Sequence, residues 1–278
     1  MQRLSCAPAV GLVVWASCGG VQAPPSDGGT ADTPPISDVL TGTLLDGCVV
    51  ALHMDEPSWS GAPGEVKDSC GNDNPATATD QGLITMPNGV HGRAGVFSGG
   101  ACLVIQNAEA LHAGANGLTL SAWILPSQLN NDGGSTANSA NGVISKRTDS
   151  TVDNEYSMSV WMKNNLYVDL DTSDNRFAST AVIQEKVWTQ ITLVYDDRQP
   201  AAQRVRLYIN GGLDSTHAES TNAALAKFSS PLYIGCTPAP SQSTQQYFLG
   251  TMDEVVIWNR PLDDAEIGQW YGATKPAP

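Results

Sequence analysis

The segment Gly250–Ile267, GTMDEVVIWNRPLDDAEI, constrains the fold of this chain most, because it sets a strand, a break and a capped helix in a fixed order. Val255 and Ile257 alternate with Glu254, Val256 and Trp258, and β-branched and aromatic residues dominate, which describes a part-buried strand. Pro261 has no N–H to donate and ends the ladder. Asp263, followed three residues later by Glu266, forms an acidic capping box that predicts a short helix from Asp264 to Trp270.

Upstream, strand-like runs recur between polar turns at Cys48–Met54, Ala94–Ser98, Cys102–Gln106, Leu118–Leu125, Gly142–Arg147, Tyr156–Met162, Leu166–Asp171, Trp188–Tyr195, Arg204–Ile209, Leu232–Gly235 and Tyr247–Trp258. No strand–helix–strand alternation appears, so antiparallel rather than parallel sheets are expected. The expected fold is all-β: a two-sheet antiparallel β-sandwich, a jelly roll, with one short C-terminal helix. Only 15% of the 278 residues are charged and 27 are glycine, which suits a turn-rich extracellular sandwich better than a helical bundle. A formal net charge of −14 argues against nucleic acid and against an anionic membrane surface, since both need clustered Lys and Arg.

Residues 1–17 read as an export signal, with Arg3, an apolar run from Ala7 to Trp15, and small residues at Ala16 and Ser17. Two cleavage readings fit. Trp15-Ala16-Ser17-Cys18 resembles a bacterial lipobox, which implies lipid on Cys18 and a place in the cell envelope, with the membrane touched only through that anchor. Val21-Gln22-Ala23 has the pattern of ordinary signal peptidase and implies a freely secreted protein, although Pro24 follows the cut. Residues 18–42 carry much Pro, Gly, Ser and Asp and few core-forming side chains, as a flexible tether does. The folded domain is expected over 43–275. It keeps Cys48, Cys70, Cys102 and Cys236, an even number that predicts two disulfides in one of three pairings.

Four segments resemble the laminin G-like family of concanavalin A-like jelly rolls: Gly92–Gly99 (GRAGVFSG), Leu118–Pro126 (LTLSAWILP), Lys186–Asp196 with Val205–Gly211 (KVWTQITLVYD, VRLYING), and the closing segment. The resemblance spans about residues 45–272 and implies the concanavalin A-like sandwich. It does not by itself imply a function, because that architecture serves lectins, hydrolases, lyases and adhesion modules. Trp123 and Trp188 are expected in the core, and Trp258 and Trp270 against the terminal helix.

The hairpin Tyr156–Asp171 is the candidate ligand surface. Met158, Val160, Met162, Leu166, Val168 and Leu170 form one face, and a Lys163-Asn164-Asn165 turn would pair Trp161 with Tyr167. The opposite face then carries Trp161, Tyr167, Asp169 and Asp171: aromatic rings that stack on pyranoses beside carboxylates that accept hydroxyl hydrogen bonds. A solvated outer face is the other reading of the same pattern. The family resemblance also implies a structural Ca²⁺, because Asp68-Ser69-Cys70-Gly71-Asn72-Asp73-Asn74 resembles the family's acidic loop; Asp68, Asn72 and Asp253 are its candidate ligands. A turn-rich loop tied by a disulfide through Cys70 is the alternative. The Glu-x-Asp-x-x-Glu strand of laminarinase-type relatives, a Gly-x-Ser-x-Gly elbow and a His-Glu-x-x-His helix are all missing. The expectation is a non-catalytic envelope module recognising polysaccharide or glycoprotein. A glycoside hydrolase or polysaccharide lyase, and a protein-binding adhesion module, are the alternatives.

Overall fold

The computed structural model describes residues 40–80, 83–106, 109–129, 140–148, 154–170, 175–219, 225–238 and 246–276. The export segment 1–17, Cys18 and the tether up to residue 39 lie outside the described residues, and so does Asp171. In chain order the strands are β1 (Cys48–Leu52), β2 (Thr77–Ala78), β3 (Ile84–Pro87), β4 (Arg93–Ser98), β5 (Leu103–Ile105), β6 (Gly117–Pro126), β7 (Asn141–Arg147), β8 (Asn154–Trp161) and β9 (Asn165–Leu170). They continue as β10 (Asn175–Val182), β11 (Thr189–Asp196), β12 (Val205–Ile209), β13 (Gly212–His217), β14 (Leu232–Ile234), β15 (Cys236–Thr237), β16 (Gln246–Tyr247) and β17 (Leu249–Trp258), followed by α1 (Asp264–Thr274).

Two antiparallel sheets make the sandwich. One runs β13-β12-β11-β6-β17-β4-β3, with β1 also paired to β17; the other runs β10-β9-β8-β7-β14-β5-β2. Period-two alternation drives the first core: Leu120, Ala122 and Ile124 on β6 and Ile191, Leu193 and Tyr195 on β11 join Met158, Val160, Leu166 and Val168 from the second sheet. A second apolar layer lies outside the eight-stranded sheet. Leu40 and Leu44 from the N-terminal side, and Leu262, Ile267 and Trp270 at α1, cover Ala51, Val194, Tyr208, Val256 and Trp258.

Two expectations are corrected. Strand β17 is buried on both faces, not on one, because β6 lies along one edge, β4 and β1 share the other, and α1 covers its outer side. Trp258 and Trp270 pack at the terminal helix as expected, and Trp123 is buried beneath that helix, whereas Trp188, expected in the core, sits half-buried just before β11. Trp123 donates to Thr274 Oγ1 (2.9 Å) and stacks on Tyr271, and Trp258 meets Trp270 edge to face with ring centroids 5.7 Å apart.

The capping box forms as expected: Asp263 Oδ1 accepts the Glu266 N–H and Glu266 Oε2 accepts the Asp263 N–H. Helix α1 runs one turn past Trp270, to the Thr274 that Trp123 holds. Strands β2, β3, β10 and β13 were not expected; each lies at a sheet edge, where one-sided exposure weakens the apolar alternation. The disulfides are Cys48–Cys70 and Cys102–Cys236.

Candidate functional site

On the seven-stranded sheet, Tyr156, Met158 and Val160 of β8 and Leu166, Val168 and Leu170 of β9 are fully buried, so the residues between them face outward. The pairing is shifted by two residues from the expected hairpin, which keeps each side chain's face while moving the turn by one. Val160 pairs with Leu166 and Trp161 with Asn165, and the turn is Met162-Lys163-Asn164, all three with left-handed φ (40°, 67° and 63°). Asn165 is drawn into the strand because its side-chain amide donates to the Ser179 and Ala181 carbonyls of β10 (2.9 and 3.0 Å). Met162 therefore leaves the core face and is exposed.

Trp161 and Tyr167 stay on one face as diagonal neighbours. Their rings meet edge to face, 78° apart with centroids 4.8 Å from each other, and both are half-buried. Asp169 shares this face but is not an open hydroxyl acceptor. It is buried, and its Oδ2 lies 3.3 Å from Arg176 Nε and 3.6 Å from Arg147 Nη1. Arg176 is the direct partner of Asp169 across β9–β10, while Arg147 reaches it from β7 beyond β8. Neither arginine stood out in the sequence: the strand that carries Arg176 was not expected, and Arg147, on an expected strand, meets Asp169 only through the register of three strands.

The acidic loop and the closing strand make backbone clasps. Asp68 Oδ1 accepts the Ala51 and Cys70 N–H groups (2.9 Å each), and its Oδ2 accepts the Asn74 N–H (3.1 Å). Asn72 donates to the Cys48 carbonyl and Asn74 to the Val49 carbonyl, so the loop seals the outer edge of β1. Asp253 Oδ2 accepts from Val90 (2.7 Å) and His91 (3.1 Å), and its Oδ1 from Glu254 (2.9 Å). A Cβ at Gly89 would strike both Asp253 Oδ2 and the Arg93 carbonyl, so only glycine lets the loop close this tightly. N–H donors thus hold most of the roughly four lone-pair positions of each carboxylate, whereas calcium takes about six to eight oxygens. Among the described residues, no group of three or more His, Cys, Asp or Glu side chains gathers as a metal site. These side chains fit a backbone clasp better than a calcium cage.

Beside Asp253, Glu254 sits at a bulge of β17 with φ +49° and is fully buried against His53, Oε2 to Nδ1 2.8 Å. Burial pushes both the Asp253 and the Glu254 carboxyl upward. Burial opposes the His53 cation, but the Glu254 carboxylate, with Asp55 and Glu56, outweighs it and holds His53 above the usual histidine range. This pair was not legible in the sequence, because its members lie 201 residues apart.

Residues 97–268 match the family model described as the concanavalin A-like lectin/glucanases superfamily, more than half of the chain. The chain belongs to that superfamily. Among solved structures, domain 4 of AbnA, a GH43 extracellular arabinanase from Geobacillus stearothermophilus, in complex with arabinotriose, is similar in fold. It has TM-score 0.57 and 17% identity, with 80% of this chain and 96% of that one covered. The binding domain of Paraclostridial Mosquitocidal Protein 1 gives TM-score 0.59 at 15% identity over 82% of this chain and 52% of that one. A botulinum neurotoxin type C structure, whose cell entry is described as dependent on interaction with two ganglioside molecules, gives 0.57 at 15% over 84% and 52%. This chain therefore spans about half the length of the two toxin chains. No curated protein matches it. At these identities the likeness shows the superfamily's fold alone.

Proposed function

We propose that this chain is a non-catalytic binding module that takes polysaccharide, free or on a glycoprotein, at the outer face of the seven-stranded sheet. The observation that carries the reading is the edge-to-face Trp161–Tyr167 pair, two half-buried rings packed against each other on a sheet. Rigid aromatic faces contribute binding at low entropic cost, because little side-chain freedom remains to be lost. The similar folds add support, one solved with arabinotriose and one described as interacting with gangliosides. Asp169, buried between two guanidinium groups, suits the rigid floor of such a face rather than a general acid.

A glycan array tests the reading. The intact protein should bind a defined set of polysaccharides, and Trp161→Ala should abolish that binding while leaving the melting temperature within a degree or two. Flat binding across the array, or binding unchanged in Trp161→Ala, sinks it. Export with lipid on Cys18 belongs to the same proposal. Cys18→Ser should move the protein from the membrane fraction to the soluble fraction, and wild type found only in the soluble fraction would select the secreted form.

A further inference from the structure

A cleft of about 470 Å³ opens where the β11–β12 connection meets the start of α1, lined by Asn116, Asp196, Arg198, Gln199, Arg206 and Arg260 among others. Its hydrogen-bonding groups are spent unevenly. Asp196 is buried and accepts from the Arg198 backbone N–H (3.2 Å), Arg198 Nε (2.8 Å), Arg198 Nη2 (3.0 Å) and Gln199 Nε2 (3.2 Å), which fills its lone pairs. Glu266 accepts from Arg260 through both oxygens and from the Asp263 N–H. Arg260 is spent as well, on Glu266 and on the Thr43, Asp46 and Pro261 carbonyls.

Two guanidinium groups are not spent. Arg198 uses Nε and Nη2 on Asp196 and leaves Nη1 open, and its side chain is 57% exposed. Arg206 gives one N–H of Nη1 to Asp264 Oδ1 (3.0 Å) and one of Nη2 to the Leu262 carbonyl (3.2 Å), which leaves the second N–H of each; its Nε is buried away from the cleft. The Arg198 and Arg206 guanidinium groups thus keep N–H donors that no group of the lining takes up. An incoming ligand must bring the acceptors.

We propose that this cleft is a second ligand site, one that takes the carboxylate-bearing residue of an acidic polysaccharide, a uronate, on Arg198 and Arg206. A guanidinium matches a carboxylate in plane and in spacing, and Asp196, Asp264 and Leu262 already hold these two in place. The amides of Asn116 and Gln199 supply both donors and acceptors, as sugar hydroxyls require. The volume suits a small-molecule ligand rather than a lone ion. The inference does not rest on the aromatic face, which lies on the other sheet.

The test is NMR and calorimetric titration of the whole protein with a galacturonate trisaccharide, its neutral galactose counterpart, and inorganic phosphate. The uronate should bind saturably and more weakly as salt is added, and should shift the Arg198 and Arg206 Nε–H resonances. The indole N–H of Trp161 should stay in place, which separates this site from the aromatic face. Arg198→Gln and Arg206→Lys should each weaken the affinity about tenfold or more. The wild-type shifts decide the matter even if one variant folds poorly. Unmoved arginine resonances, or an equal response to the neutral sugar or to phosphate, would overturn the proposal.

Discussion

Asp214 shows how much one side chain can organise. It lies on β13, at the edge of one sheet, and accepts the Thr180 and Ala181 N–H groups (2.7 and 2.8 Å) and the Thr180 hydroxyl (2.9 Å) of β10, the edge of the other. An edge strand with open N–H groups is a template for unwanted pairing, and this carboxylate caps it from within the chain. Burial pushes the Asp214 carboxyl up, and the hydrogen bonds from Thr180, Ala181 and Ser215 outweigh it, holding it below the usual aspartate range. A depressed carboxyl contributes stability above its unfolded pKa of about 3.9, and that stability is lost as pH falls through the lower folded value. Asp214→Asn should therefore cost about 1–2 kcal/mol at neutral pH, with the gap from wild type closing below about pH 4, as read from melting temperature against pH.

At the scale of elements, α1 and its aromatic bed behave as one unit. Trp270 donates to Ser121 Oγ (3.2 Å), Trp123 to Thr274 Oγ1 and Trp258 to the Leu44 carbonyl (2.8 Å), so each buried indole N–H finds an acceptor on a different element. Trp270→Ala should cost about 3–5 kcal/mol in chemical denaturation, and Asp263→Ala, which removes only the cap, about 1 kcal/mol. The acidic loop is a second element, held to β1 by Asp68, Asn72, Asn74 and Cys70. Melting with millimolar calcium or with chelator separates the two accounts of it. The clasp alone predicts no shift, and a rise with calcium would restore Asp68 and Asp253 as ligands, since an ion that binds only the folded state must raise the melting point.

For the whole molecule, the two disulfides constrain different scales. Cys48–Cys70 closes 22 residues of loop, whereas Cys102–Cys236 spans 134 residues and ties the residue just before β5 to the first residue of β15, just past β14. Chain entropy makes the longer closure worth about 5 kcal/mol and the shorter about 3. The Cys102→Ser/Cys236→Ser pair should accordingly lower stability more than Cys48→Ser/Cys70→Ser, measured as unfolding free energy in guanidinium. The reverse order would mean that the acidic loop, not the seven-stranded sheet, limits the stability of the domain.

The fold was legible in the sequence because its signals are local. Alternation along Leu118–Leu125 and Leu166–Leu170, and the Asp263–Glu266 box, each need only a few neighbouring residues to act. The sites were not legible in the same way. Asp169 meets Arg147 and Arg176, Glu254 meets His53, and the cleft joins Asn116, Arg206 and Arg260, all through register and packing between strands distant in the chain. Period and capping chemistry determined by themselves that this chain forms an antiparallel sandwich with a terminal helix. Only the tertiary structure decided that Trp123 lies under that helix while Trp188 does not reach the core, that the acidic loop is clasped by backbone N–H groups, and which cysteines join, because burial and partnership are set by which surfaces meet and a linear pattern does not contain that information.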